Sequence, residues 1–226
     1  MKTTTAKVRL IASMQPVEAF KKHMPPDATN IEALVSACAR STRRTDELET
    51  IYMENCVEGQ TPTNIKQYMK WKHGTVFEFT DFIFEISGIS RVCSHELVRT
   101  RTAAYLQQSQ RHVDIRNHAV VVPPTVKEVG ITEGAFEMFD NKWRFYYIFL
   151  VDDRGIPLED ARFVAPNSVE TRVIMKIDGR NLIHFLKLRL DKAAMWEIRE
   201  VANLMWLEVQ KVCPNIFSFE HMEDWV

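Results

Sequence analysis

The stretch from Phe77 to Ile86 limits the fold most, because four phenylalanines and two isoleucines stand in ten residues. So apolar a segment belongs in a core. Phe77, Phe79, Ile83 and Phe84, interspersed with Glu78, Thr80 and Glu85, read as a strand. Phe82 beside Phe84 upsets strict alternation, so both faces are expected to be covered. Gly88 and Ser90 close the strand, with Ser90 as the N-cap of a helix from Arg91 to about Arg99. That helix is expected to turn Val92, Cys93, Leu97 and Val98 inward and to deliver Arg99 and Arg101 at its C-terminal end.

The basic stretch Arg99-Thr100-Arg101-Thr102-Ala103-Ala104-Tyr105-Leu106-Gln107-Gln108-Ser109-Gln110-Arg111 therefore emerges from the core. It holds three arginines and no acid. The planar guanidinium fork suits phosphate and carboxylate oxygens. If the chain is extended after Tyr105, Gln107, Ser109 and Arg111 point one way and Gln108 and Gln110 the other. A solvated face explains three arginines as well. Against it, the run lacks the Gly and Pro of an ordinary loop and follows a segment too apolar for the surface.

Around this centre, Lys7 to Met14 reads as a first strand. Pro16 and Val17 open a short helix before Pro25-Pro26. Asn30 is expected to cap a helix to about Arg40, with Ile31, Leu34, Val35 and Cys38 inward, and Asp46 to Val57 forms the next. Thr61 to about Trp71 is helical, and His73 after it is either a helix C-cap or a functional group. Glu133 to Asp152 is one helix whose aromatic stripe suits core or subunit contact. Leu158 to Phe163 is a short helix, Glu170 to Ile177 a strand, and Arg180 to Leu190 and Lys192 to Val212 are helices. The expected class is α+β: a central, mostly antiparallel sheet flanked by helices, with a helical N-terminal lobe, in one domain spanning 1–226.

A net charge of -1 argues against a general nucleic-acid binder, so phosphate recognition must be local. The longest apolar run, Phe145 to Val151, is too short to span a bilayer, and no membrane role is expected. Cys38, Cys56, Cys93 and Cys213 are scattered without metal-ligand spacing. They read as reduced thiols of a cytoplasmic protein with no bound metal and no secretory signal.

Several motifs in order resemble the flavin-dependent thymidylate synthases. Arg99, Arg101, Ser109 and Arg111 fall in register with that family's signature. His73-Gly74-Thr75-Val76-Phe77-Glu78 resembles its segment leading into the central strand. Ala161-Arg162-Phe163-Val164-Ala165-Pro166, Asp178-Gly179-Arg180 through Arg189, and Ala194-Met195-Trp196-Glu197-Ile198-Arg199 resemble three further elements. The likeness runs from about His73 to Phe217. Departures are Thr100 for His, Ala104 for Ser, Glu96 for Gln and Asp178 for Asn, with Leu106 at a usually polar position and His112 at a usual Tyr.

The resemblance implies conversion of dUMP to dTMP, with methylenetetrahydrofolate giving the carbon and NADPH reducing bound FAD. It implies a homotetramer with sites at subunit interfaces. By resemblance, Arg189 and Ser109 are the catalytic candidates. Thr75, Arg99, Thr100, Arg101, Gln107, Asp178, Arg180 and His184 fall at flavin-contacting positions, although Asp178 could instead cap its helix. Glu96, Arg99, Gln107, Gln108, Ser109, Gln110, Arg111, Arg162 and Arg189 fall at nucleotide-contacting ones. Arg189 would face the pyrimidine carbonyl and N3; as a plain helix residue it would be a C-terminal cation. The departures keep open a relative acting on another pyrimidine nucleotide or carbon donor, and a flavin- or nucleotide-binding protein without catalysis.

Overall fold

Backbone pairing builds one four-stranded sheet in the order β1-β2-β4-β3 in the computed structural model, which describes residues 1–129 and 132–218. The strands are β1 (Lys7–Ser13), β2 (Asp81–Ser90), β3 (Ala104–Gln107) and β4 (Glu170–Asp178). They run antiparallel, as expected. The amide of Met14 meets the Asp81 carbonyl at 2.9 Å, and that of Gly179 the Thr80 carbonyl at 3.1 Å. The edges are blunted: β3 is only four residues long, and β1 exposes Lys7 and Arg9.

The helices are α1 (Glu18–Lys21), α2 (Asn30–Ser41), α3 (Leu48–Glu58), α4 (Thr61–Lys70), α5 (Arg91–Leu97), α6 (Pro124–Glu128), α7 (Thr132–Ile148), α8 (Leu158–Ala161), α9 (Gly179–Arg189) and α10 (Trp196–Gln210). The chain divides into two compact units. The first is Met1–Lys7, Ile86–Thr100 and Tyr105–Ile174; the second is Val8–Glu85, Arg101–Ala104 and Met175–Val226.

In the second unit, α2 packs on α3 and α4 as the expected helical lobe. Ala33 and Ala37, both fully buried, let α3 bring Ile51 and Tyr52 close. The N-cap of α2 is Thr29, not Asn30. The Thr29 hydroxyl accepts from the Glu32 amide and the Glu32 carboxylate accepts from the Thr29 amide, closing a capping box. Asn30 is the first helical residue, and its side-chain oxygen takes the Tyr52 hydroxyl at 3.0 Å.

The central strand begins later than its apolar composition suggests. Gly74–Phe79 form a 3₁₀ turn, held by the Thr80 hydroxyl donating to the Phe77 carbonyl at 2.8 Å. Strand β2 then alternates strictly, with Phe82, Phe84 and Ile86 fully buried and Asp81, Ile83 and Glu85 half-buried. Consecutive burial is confined to Gly88, Ile89 and Ser90.

In the first unit, Trp143 and Tyr147 of α7 pack with Ile115, Val120, Val122, Ala161 and Val169. The stripe is only partly core, since Phe139, Phe145 and Tyr146 are exposed. A π-helical turn, Phe149–Asp153, follows α7. Ser90 caps α5 as expected, accepting from the Cys93 amide at 3.0 Å. Cys93 and Leu97 point inward, but Val92 and Val98 are exposed, because so short a helix buries only one narrow face. No helix among the described residues is long and apolar enough to cross a membrane.

Candidate active site

The first unit carries Glu96, Arg99, Thr100, Gln107 to Arg111 and Arg162. Beyond α5, the amides of Arg99 and Thr100 bond back to the carbonyls of Glu96 and Leu97, both at 3.1 Å. The Tyr105 hydroxyl pins this turn, donating within 2.8 Å of the Leu97 carbonyl and 3.0 Å of the Thr100 carbonyl. Arg99 stays exposed and Glu96 half-buried. Gln107 ends β3, and its amide nitrogen donates to Ser94 Oγ at 3.0 Å and Thr171 Oγ1 at 3.2 Å. Among the described residues its side-chain oxygen has no hydrogen-bond partner.

The expected alternation stops at Gln107, where β3 ends. The Gln108 amide still reaches the Arg172 carbonyl at 2.9 Å. From Ser109 the chain curls: its Oγ accepts the Arg111 amide at 3.2 Å and its carbonyl the Val113 amide at 3.0 Å. The curl buries Gln110 Nε2 without a hydrogen-bond partner among the described residues. An unsatisfied buried donor is costly unless something fills its valence.

The same curl sends Arg111 to Glu159, Nε to Oε2 at 2.8 Å. Arg162 Nε donates to the Glu159 carbonyl at 2.9 Å. One residue thus gathers the two arginines expected at a phosphate. Sequence reasoning missed a third. Arg91, at the start of α5, is held below the usual arginine range by burial and then by the charge of Arg162. Like charges pressed together out of water favour an anion between them. The only sequence sign of Arg91 was its place directly after the Ser90 cap.

The second unit carries Thr75, Arg101, Asp178, Arg180, His184 and Arg189. Lys72, with a φ of 55°, is the one non-glycine of positive φ among the described residues, and it turns the chain out of α4. The His73 amide reaches back to the Tyr68 carbonyl at 2.9 Å, so His73 closes this turn through its backbone, with its ring exposed.

Start of α9 and 3₁₀ turn meet at two glycines. A Cβ on Gly179 would fall 2.1 Å from Thr80 Oγ1 and 2.8 Å from the Phe77 carbonyl. A Cβ on Gly74 would fall 3.0 Å from Arg180 Nε, so the missing side chain is what lets Arg180 lie across the turn to pair with Glu78. Asp178 caps α9: its carboxylate takes the Asn181 amide at 2.9 Å and Asn181 Nδ2 at 2.6 Å. Asp178 thus takes the capping role that the sequence had left open. His184 lies one turn beyond Arg180, exposed, and Arg189 ends α9, half-buried. Arg101 is exposed.

Thr75 and Arg180 open onto a cavity of about 850 Å³ whose lining includes Arg40, Arg43, Arg44 and Lys72 and contains no Asp or Glu. An acid-free cationic cavity suits a diphosphate-bearing group such as FAD. Burial raises the thiols of Cys38, Cys56 and Cys213, so these three are not reactive thiolates. No group of three His, Cys, Asp or Glu among the described residues could hold a metal ion.

Fold and geometry define an α+β protein that carries, among the described residues, a cluster of arginines around Glu159 and a cavity lined by cations. The family described as thymidylate synthase complementing protein matches residues 21–215. The flavin-dependent thymidylate synthase of Geobacter sulfurreducens is 40% identical over 194 residues, 85% of this chain and 82% of its own. That of Sulfolobus acidocaldarius is 34% identical over 196 residues, 85% of this chain and 72% of its own. The UMP/dUMP methylase PolB from Streptomyces cacaoi, solved with 5-Br dUMP, shares the fold with a TM-score of 0.77 at 20% identity, over 98% of this chain and 96% of its own. The chain belongs to the flavin-dependent thymidylate synthase family.

Proposed function

We propose that the chain makes dTMP from dUMP, with methylenetetrahydrofolate as carbon donor, NADPH as reductant and FAD as cofactor. FAD, when bound, supplies the hydride chemistry that side chains lack. The observation that carries the reading is the gathering of Arg111 and Arg162 at Glu159 with the charge of Arg91 beside Arg162, in a chain of this family.

The nucleotide phosphate is assigned to Arg111 and Arg162, with Gln108, Ser109 and Gln110 as hydrogen-bonding groups. The orphaned Nε2 of Gln110 supports that role, since a phosphate oxygen would satisfy it. Ser109 acts here as a hydrogen-bonding group, while Arg189 faces the pyrimidine carbonyl and N3 and stabilises negative charge as the ring is activated. Arg99 and the Gln107 carbonyl serve nucleotide and flavin, and Glu96 the nucleotide. Thr75, Thr100, Arg101, Arg180 and His184 hold the flavin, with Asp178 acting through the helix it caps. Both units work as one domain, in a cytoplasmic homotetramer with sites at subunit interfaces.

Release of tritium from 5-tritiated dUMP, given NADPH and methylenetetrahydrofolate, tests the reaction. A folded, yellow protein that releases none overturns the reading. Arg189→Ala should keep bound FAD and lose most of the turnover; unchanged turnover removes Arg189 from the chemistry.

A further inference from the structure

The side-chain amide of Gln107 ends in a donor and an acceptor of nearly the same size, and only one of them can face a ligand at a given place. Two hydroxyls from other elements decide which end turns inward. Gln107 Nε2 lies 3.0 Å from Ser94 Oγ on α5 and 3.2 Å from Thr171 Oγ1 on β4. Ser94 and Thr171 are both buried, so water does not take their place. All three residues belong to the first unit.

A serine hydroxyl has a single hydrogen, and that of Ser94 goes to the Arg91 carbonyl at 3.0 Å. Towards Gln107 it can therefore only accept. Were the amide turned round, its oxygen would meet a lone pair of Ser94, and its NH₂ group would lose both acceptors. A buried polar group left in that state is costly. The amide is thus fixed from below, nitrogen in and oxygen out. Main chain holds the same place: the next amide, of Gln108, bonds to the Arg172 carbonyl of β4 at 2.9 Å.

We infer that Ser94 and Thr171 are positioning residues, which act through the Gln107 amide to present an acceptor, so that the site requires an N–H or O–H donor from its ligand. Neither hydroxyl touches the ligand itself. They work from a helix and a strand, elements that hold a group to its geometry better than loops do. The choice of ligand rests on the proposed function: dUMP and FAD both carry an imide N–H and hydroxyls. The orientation of the amide rests on the geometry alone.

Titration calorimetry tests it, with dUMP on the flavin-loaded protein and FAD on the flavin-stripped protein. Ser94→Ala/Thr171→Val removes both acceptors with little change of shape. The dissociation constant of dUMP or of FAD should then rise about tenfold or more, and the ligand that weakens is the one Gln107 meets. Thr171→Ser keeps the oxygen and should restore what Thr171→Val loses. In a Gln107→Ala background the same double change should cost less than about twofold, because no amide remains to be turned. An equal loss in both backgrounds would make the two hydroxyls mere packing and overturns the inference. Should the double variant fail to fold, Thr171→Val alone, near in shape to the original, carries the same comparison between backgrounds. Both constants unchanged beside normal tritium release overturn the inference and leave the reaction standing. A loss that depends on Gln107, in a protein that releases no tritium, sinks the reaction and leaves the positioning standing. A protein that binds neither ligand overturns both.

Discussion

Arg162 donates from Nε to the backbone carbonyl of Glu159, 2.9 Å away, while the carboxylate of the same glutamate holds Arg111. Main chain positions one arginine and an exposed, displaceable charge positions the other. Glu159→Gln should keep Arg162 in place and release Arg111 to an incoming phosphate, tightening dUMP roughly two- to fivefold at low salt. Arg162→Ala should weaken dUMP about tenfold or more. Calorimetric titration of both variants checks the pair, and weaker binding in Glu159→Gln would mean that the glutamate helps the site instead of competing with it.

Gly179 sits where any side chain collides with Thr80 and the Phe77 carbonyl. Gly179→Ala should cost about 1–3 kcal/mol by overpacking, read as a lower urea midpoint with an unchanged slope. Flavin content should fall with it, because Arg180 follows directly.

Asp178 departs from the family's usual Asn but does the same work at the helix start, where both residue types cap well. Asp178→Asn should therefore leave the melting temperature nearly unchanged. Asp178→Ala should cost about 1 kcal/mol. Thermal melts of the two variants side by side decide this.

Glu32 is fully buried and takes hydrogen bonds from the amides of Thr29, Asn215 and Ile216. Burial raises its carboxyl above the ordinary 4.5 in spite of those donors. The folded state therefore holds this proton more tightly than the unfolded chain. The resulting stability is fully present below 4.5 and is lost as pH climbs through the raised folded value. The stability difference between the protein and Glu32→Gln should accordingly shrink from pH 4 towards pH 7 in urea titrations. A difference that grows would show a depressed carboxyl instead.

Much of this was legible in the sequence, for identifiable reasons. Ser90 read as a cap because its hydroxyl acts locally, and Gly179 and Arg180 stood in a motif. The start of β2 was misread because Phe77 and Phe79 look like strand residues, while the local bond from Thr80 to the Phe77 carbonyl and the long-range bond from the Gly179 amide to the Thr80 carbonyl hold them in a turn. Asn30 lost the cap to Thr29 because the capping box needs Glu32 three residues on. The charge of Arg91 beside Arg162 joins residues 71 positions apart, a distance no local pattern spans. The cavity edge at Trp71, Lys72 and His73 follows one left-handed lysine, which composition does not announce.

One carboxylate, on Glu32, both closes the first turn of α2 and ties down the chain at Asn215 and Ile216. Fraying at residue 215 would strip the cap from a helix nearly two hundred positions earlier. A protease should thus find no early nick at residues 213–217; cutting there should wait until α2 melts, so that both ends of the lobe are lost in a single step.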